Sequence, residues 1–289
     1  MKHLNLGATQ RLTTYRKIAI ASWNRPVDPS TYTWVDLPVA DAEAFLKSYV
    51  SEVRPTMTHF VAKILAHCLE KNPELNHILR QGNLYRRERT DAYVTTLLKG
   101  EGSLDLSGFT LPDVGNASLG ELAKVSQEAV EALRKGTDPV TARTDKVVAS
   151  LPALALRVLM RTQSFFQYTL NLSLRAFGIP DDRFGSFVIS NFGPLGLENG
   201  LVPLSPYCRC PLMVGMGKAV KKPIVQKDQI IIAECMTISF TFDHRYADGA
   251  HGAQLMRLFT KIFLNPTRYA PIFEEKIHDT ALPGNPDTA

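Results

Sequence analysis

Apolar residues recur along this chain with two different periods, and the switches between them mark out its elements. In "THFVAKILAHCLEKNPELN", from Thr58, the positions Phe60, Val61, Ile64, Leu65, Cys68 and Leu69 repeat at helical spacing. That spacing predicts a helix with Thr58 as its N-cap and Pro73 just past its end. "DAYVTTLL" clusters β-formers ahead of Gly100 and Gly102, predicting a strand that runs into a turn. "LGELAKVSQEAVEALRKG" predicts a second helix, closed by Gly136 where a helix C-terminus favours glycine. Strand patterns follow in "GSFVIS", "CPLMVGMG" and "IIIAECMTISFTF", the last long enough for one central strand or two joined by a bend. Helical period returns in "GAQLMRLFTKIFLNP", with Leu255, Leu258, Phe259 and Ile262 as its stripe and Pro266 as its stop.

Two stretches depart from clean alternation. Residues 1 to 35 are mixed, with an apolar run at Ile18 to Ala21 and a loop around Pro26 and Pro29, and are expected to form an N-terminal arm. Between Pro152 and Gly178, Arg157, Arg161 and Arg175 share one helix face with Ser164, Tyr168 and Asn171. Val158, Leu159, Phe165, Phe166, Leu170 and Leu172 lie opposite, so an amphipathic helix or a broken pair is expected there. The apolar face is expected to pack on the chain's own sheet or on a neighbouring subunit. A membrane surface or another protein is the alternative cover.

With 289 residues and 45% hydrophobic content, the chain can bury the core of one large domain or two small ones. A net charge of +5 is modest for this length, and its basic residues are scattered except around Arg86, Arg87 and Arg89, which argues against a nucleic-acid partner. No apolar run reaches the ~18 residues of a spanning helix, and the N-terminus has no signal-peptide pattern, so a cytoplasmic protein without a membrane partner is expected. Cys68, Cys208, Cys210 and Cys235 have neither disulfide nor zinc spacing and are expected as buried thiols, with no metal site.

Candidate chemistry gathers at two places. In "FTFDHRYADGAHGAQ", His244, Arg245, Asp248 and Gly249 stand where a strand hands over to a helix. Taken alone, His244 reads either as a satisfied histidine or as a base titrating near neutrality. Asp248 reads as a helix cap, and Gly249 as a turn position that excludes a Cβ. In "FVISNFGPLGLENG", Ser190 and Asn191 end a strand ahead of Gly193 and Gly196. They are either loop residues or a rigidly held hydroxyl with its support.

Together these blocks resemble a known family. "FDHRYADG" is similar to the FDHRxxDG motif of the catalytic domains of 2-oxoacid dehydrogenase complex acyltransferases, which share fold and motif with chloramphenicol acetyltransferase. "YRKIAIASW", "MTHFVAKILAHCLEKNPELN", "FVISNFG" and "PLMVGMGKAVKKPIV" resemble further family segments in the same order, covering residues 14 to 266. The resemblance implies a two-layer α/β sandwich with a mixed β-sheet and an arm at 1–13. It also implies a catalytic domain at 14–266 with an insertion at about 135–178, while the Pro-, Asp- and Thr-rich composition after it predicts a loosely attached tail at 267–289. It implies an enzyme that passes an acyl group from coenzyme A or lipoamide to a thiol or other acceptor. His244 would be the general base and Ser190 the oxyanion donor, with Asp248 paired to Arg16 and with Asn191 and Gly249 supporting the site. The assembly implied is a homotrimer, or a multiple of three, with each site between chains.

The chain departs from the family in carrying no lipoyl segment with an Asp-Lys-Ala attachment site and no Ala/Pro linker, so a lipoyl arm would come from a separate chain. "GEGSLDLSGFTLPDV" replaces the family's usual stretch after the second strand, and the insertion is large. The alternative function is a non-catalytic scaffold or cage subunit of such a complex.

Overall fold

A computed structural model describes residues 3–4, 6–9, 28–99, 104–138, 151–205 and 207–274. The strands are β1 (Leu6–Thr9), β2 (Ser30–Pro38), β3 (His77–Arg80), β4 (Asn83–Arg87), β5 (Ala92–Lys99), β6 (Leu104–Leu111), β7 (Phe187–Asn191), β8 (Leu212–Met216), β9 (Val220–Gln226) and β10 (Gln229–Asp243). The α-helices are α1 (Ala40–Ser48), α2 (Met57–Lys71), α3 (Leu119–Arg134), α4 (Ala153–Ser164) and α5 (Gly249–Phe263). The main sheet runs β2-β10-β8-β7-β5-β6, with β9 paired to the outer half of β10, and a small sheet runs β1-β4-β3. β7 is parallel to β5 and β8, whereas β6, β9, β2 and β10 pair antiparallel to their neighbours, so the sheet is mixed.

Both helices expected on either side of the β5 strand form. α2 is buried along nearly its whole length, from Thr58 to Leu69, which is why apolar residues dominate it on every side. Its N-cap is Thr56 rather than Thr58. Thr56 is the last extended residue, and the His59 ring three positions on accepts its amide at 3.0 Å, leaving Thr58 inside the first turn. α3 carries the full capping box of Ser118 and Glu121 and ends before Gly136, whose φ of 64° suits a residue without a Cβ. α2, α3 and α5 lie against one face of the sheet, where Phe60, Ile64, Leu65, Val94, Phe187, Ile189, Val214, Phe240, Leu255 and Phe259 share one core. The opposite face carries a smaller cluster of Tyr93, Val188, Cys208, Cys210 and Met213. All four cysteines are free and buried.

The proline-rich start gives way to β2 and α1, which sequence pattern did not reveal, because neither carries a clean apolar period. Residues 10–27, including the Ile18–Ala21 run and Arg16, lie outside the described residues. "IIIAECMTISFTF" is a single strand, extended to 15 residues.

The insertion turns its expected faces inside out. α4 passes into a π-helical turn at Phe165–Thr169, and the buried residues are Gln167, Tyr168 and Asn171, three from or beside the face expected to be polar. Phe165 and Val158, from the apolar face, are 50% and 59% exposed. The cause is local hydrogen bonding. Asn171 accepts the Leu4 amide at 2.6 Å and donates to Leu4 O, and Arg80 donates to the carbonyls of Tyr168 and Thr169 at 2.7 and 2.8 Å. The Arg209 guanidinium stacks 5.0 Å from the centre of the Tyr168 ring. Asn171, Tyr168 and the carbonyls of that turn are thus held against the chain itself, and the apolar side faces outward.

The folded domain also continues past Pro266, where the catalytic region was expected to give way to a loose tail. A 3₁₀ segment at Pro266–Phe273 brings Phe273 to full burial, with its ring stacked 4.9 Å from Phe60 and tilted against Phe45 at 5.0 Å. The Tyr49 hydroxyl donates to Phe273 O at 3.2 Å. Phe273→Ala is therefore expected to destabilise the fold by about 3 to 5 kcal/mol. Urea denaturation reads this directly, and a loss below ~1 kcal/mol would return residues 267 onward to a tail.

Candidate active site

The His244 segment is a turn pinned at both ends. β10 closes with Asp243, whose carboxylate takes the Arg245 guanidinium at 2.6 to 3.1 Å, and the His244 amide donates to Pro29 O at 2.9 Å beside the start of β2. Tyr246 is buried, and its hydroxyl accepts the Leu79 amide at 2.8 Å, which ties the turn to β3. Burial first, then the nearby Asp243 charge, pushes the Tyr246 phenol up to about 12. The imidazole itself is half-buried, with Nδ1 2.8 Å from Ala247 O. A carbonyl oxygen only accepts, so Nδ1 carries the hydrogen and Nε2 carries the lone pair.

Asp248 is the N-cap of α5. Its carboxylate accepts the amides of Ala250 and His251 at 3.0 and 3.2 Å and lies 2.6 Å from His251 Nδ1. Burial raises its pKa, but the His251 contacts outweigh it and hold the carboxyl below its usual value. Arg16, its expected partner, lies outside the described residues. Gly249 departs from expectation: it is the first residue of α5, and the space a Cβ would occupy there is open. Steric exclusion is therefore not what calls for glycine at this position.

Ser190 sits at the C-terminal end of β7. The parallel register sets it opposite Thr95 of β5 and Gly215 of β8, and Thr95 Oγ1 donates to Ser190 Oγ at 3.0 Å. A hydroxyl that accepts this bond keeps its own proton for donation, and no acceptor for it exists among the described residues. Gly215 is required beside it: a Cβ there would lie 2.5 Å from Ser239 Oγ and 2.8 Å from the Phe192 ring that closes over the strand. Asn191 points the other way, donating to Thr58 Oγ1 at 3.3 Å and accepting the Gly193 amide at 3.1 Å, and so ties the loop to α2.

Ser190 opens into a cavity of about 560 Å³ between the ends of β5 and β7 and the helices α2 and α3. Buried Lys63 fixes the spacing of those helices, its ammonium donating to Val114 O and Gly115 O at 3.0 and 2.9 Å and to Ala117 O in the turn before α3. Arg54 and Arg134, both exposed, contribute to the lining. Deeper in, His59 Nε2 lies 2.8 Å from Ser126 Oγ. Burial pushes the His59 pKa down to about 4. Thr95, His59 and Ser126 were missed in the sequence. His59 alone had a local signal, its capping-box spacing from Thr56.

Ser190 and His244 do not meet within one chain. Ser190 is level with Gly215 and, through it, with Ser239 of β10, while His244 lies five residues further along β10 at the other end of the sheet. At strand rise this puts them roughly 15 Å or more apart.

Residues 178–270, which hold both segments, match the family profile described as 2-oxoacid dehydrogenases acyltransferase (catalytic domain). Over those residues the chain resembles these acyltransferases. It is 25% identical over 213 residues to the dihydrolipoyllysine-residue acetyltransferase component of the pyruvate dehydrogenase complex of Rickettsia felis, a match covering 74% of this chain and 41% of that protein. The chain thus spans less than half the length of this relative. A crystal structure of a probable dihydrolipoamide acetyltransferase from Listeria monocytogenes superposes with a TM-score of 0.59 at 16% identity, covering 96% of this chain and 98% of the other. Chloramphenicol acetyltransferase superposes at 0.51 and 13% identity, covering 89% and 100%. The two-layer, mixed-sheet architecture is the fold of these acyltransferases. No helix among the described residues is long and apolar enough to cross a membrane.

The buried imidazole of His59 makes stability depend on pH. Its folded pKa lies below the unfolded value of 6.5, so the unfolded state binds the proton first and stability falls as pH drops from 6.5 towards 4. Between pH 7 and pH 4.5 the protein should lose about 2 kcal/mol more than a His59→Leu variant. Urea denaturation at the two pH values checks this, and equal losses in both proteins would assign His59 an ordinary pKa.

Proposed function

We propose that the chain is an acyltransferase that moves an acyl group from a thioester to a thiol or other acceptor, at a site completed by two subunits. One observation carries the reading: the His244 ring is oriented through Nδ1 on Ala247 O, Ser190 keeps a hydroxyl proton, and the sheet register holds these complementary groups at opposite ends of one chain. They meet only if His244 of one subunit faces Ser190 of the next. The exposed residues Val225, Ile230 and Ile232 on the β9–β10 hairpin and the outward apolar face of the insertion supply surface for such an assembly. A homotrimer closes this head-to-tail arrangement with the fewest chains that the family resemblance implies.

In the proposed reaction His244 Nε2 takes the proton of the acceptor thiol, and the thiolate attacks the thioester carbonyl. An imidazole is the side chain that most often takes such a proton in general-base catalysis. Negative charge then builds on the carbonyl oxygen, which accepts the hydrogen bond from Ser190, itself steadied by Thr95. Collapse breaks the carbon–sulfur bond of the donor, and the departing thiolate recovers the proton from His244. Asp248 acts through the backbone by starting α5 where the His244 turn ends. Coenzyme A is the thiol substrate this site suits, because Arg54 and Arg134 place two positive charges around the cavity for its phosphates.

His244→Ala should lower the rate of thiol exchange between acetyl-CoA and dihydrolipoamide by ~10² to 10⁴, and Ser190→Ala should lower kcat by ~10² with little change in KM. The shared site gives a sharper test. When the two inactive variants are unfolded together and reassembled in equal amounts, random pairing should restore roughly a quarter of the wild-type sites, each with one intact His244 and one intact Ser190. No recovery from a properly assembled mixture would place both residues outside a common site, and an active monomer in light scattering would end the two-subunit reading.

A further inference from the structure

We propose that the Ser126 hydroxyl, set by His59, is a second substrate-binding donor in the Ser190 cavity, and that it receives an amide carbonyl on the arm carrying the reacting thiol. This rests on the acyltransferase reading and adds to it a contact away from the reacting carbon. Ser126 on α3 and His59 on α2 both line the cavity and are each 7% exposed.

The hydrogen positions follow from the partners. The Thr56 amide is a donor only and lies 3.0 Å from His59 Nδ1, so Nδ1 carries the lone pair. The ring is neutral, which leaves its hydrogen on Nε2, pointing at Ser126 Oγ 2.8 Å away. Ser126 therefore accepts from His59 and keeps its own proton, for which the described residues offer no acceptor. A buried donor left in this state costs ~1–3 kcal/mol, a cost removed when a ligand oxygen arrives. The Thr95–Ser190 pair repeats the arrangement on another wall: one donor fixes a hydroxyl, and that hydroxyl faces the cavity.

Two donors at fixed separation measure a ligand along its length. Ser190 is assigned to the oxygen at the reacting carbon, so Ser126 requires a second oxygen further along the same molecule. Thiol arms built from amides and methylenes have one: the pantetheine portion of coenzyme A carries two amides, and a lipoyl arm joined to lysine carries one. Val94, Leu97, Phe109 and Val130 give the methylene segments an apolar wall. A plain hydrocarbon thiol has no such oxygen and leaves Ser126 unpaired.

Ser126→Ala and Ser126→Thr test this in the assembled protein, with acetyl-CoA as donor and dihydrolipoamide as acceptor, alongside calorimetric binding of coenzyme A and of dihydrolipoamide. Loss of the contact should raise KM and Kd for one arm about tenfold, the effect of one hydrogen bond, with kcat within about twofold of wild type. Ser126→Thr, which keeps the hydroxyl, should stay near wild type. The arm whose constants rise shows whether the carbonyl belongs to coenzyme A or to the lipoyl arm. Unchanged constants for both arms in Ser126→Ala would overturn the assignment and leave the proposed activity standing. A fall in kcat without a rise in KM, or a loss of assembly not rescued by threonine, would also overturn it, reducing Ser126 to packing. Wild-type protein that binds neither arm would sink the acyltransferase reading itself, and this contact with it.

Discussion

The register of β10 is the constraint on which the rest depends. This strand pairs with β9 and then β8 on one side and with β2 on the other, so its position cannot slip without breaking two ladders and turning a buried face outward. Its inner half carries Ile238, Phe240 and Phe242 into the core, and its last residue, Asp243, is held by Arg245 and by Pro211 O. That fixes where His244 begins. Because β8 in turn runs parallel to β7, the same register fixes Ser190 at the far end of the sheet. The distance between His244 and Ser190 thus follows from pairing, and loop flexibility has no means to close it.

Much of this was legible along the chain, and the illegible part has a common cause. The strand-to-helix switch at Asp248 and the capped helix before Gly136 are local patterns, and they appear as expected. Thr95 and Ser126 are invisible to local pattern because their meaning comes from neighbours far along the chain: β5 aligned beside β7, and α3 laid across α2. The insertion misled for a related reason. Helical periodicity separates polar from apolar faces, but which face turns inward depended on Leu4 and Arg80 offering hydrogen bonds to the polar side. Phe273 behaves likewise, since the polar composition around it hides a single aromatic ring that the core takes up.

Two buried polar side chains of α2, one lining the cavity and one behind it, tolerate burial in different ways. Lys63 remains inside because three carbonyls receive its ammonium hydrogens, whereas His59 remains inside by staying neutral. Each choice leaves a fixed pattern of donors. Lys63 uses its hydrogens on the backbone and holds α2 to the turn before α3, so the helices cannot drift and the cavity keeps its width. His59 passes its one hydrogen to Ser126 and so directs a hydroxyl. A leucine at either position would pack as well, but it would supply neither the spacing nor the polarity that a substrate arm could recognise.

In the proposed two-subunit assembly, chemistry and burial make the same demand on a neighbour. The two reactive groups are incomplete apart, since a base without an oxyanion donor stabilises only half of the charge movement in acyl transfer. Apolar side chains stand outward as well: Trp34, Val225, Ile230, Ile232 and Phe165 are each at least half exposed. Trp34 lies opposite Ser239 in the β2–β10 ladder, and Ser239 opposite Gly215, so its exposed ring stands in the same cross-sheet row as Ser190. A neighbour covering that row would exclude water from the hydroxyl in the same step that buries the indole. Assembly would then raise the electrostatic value of the Ser190 donor, which is weak in water and strong in a dry site, and would tie the appearance of activity to the burial that stabilises the complex.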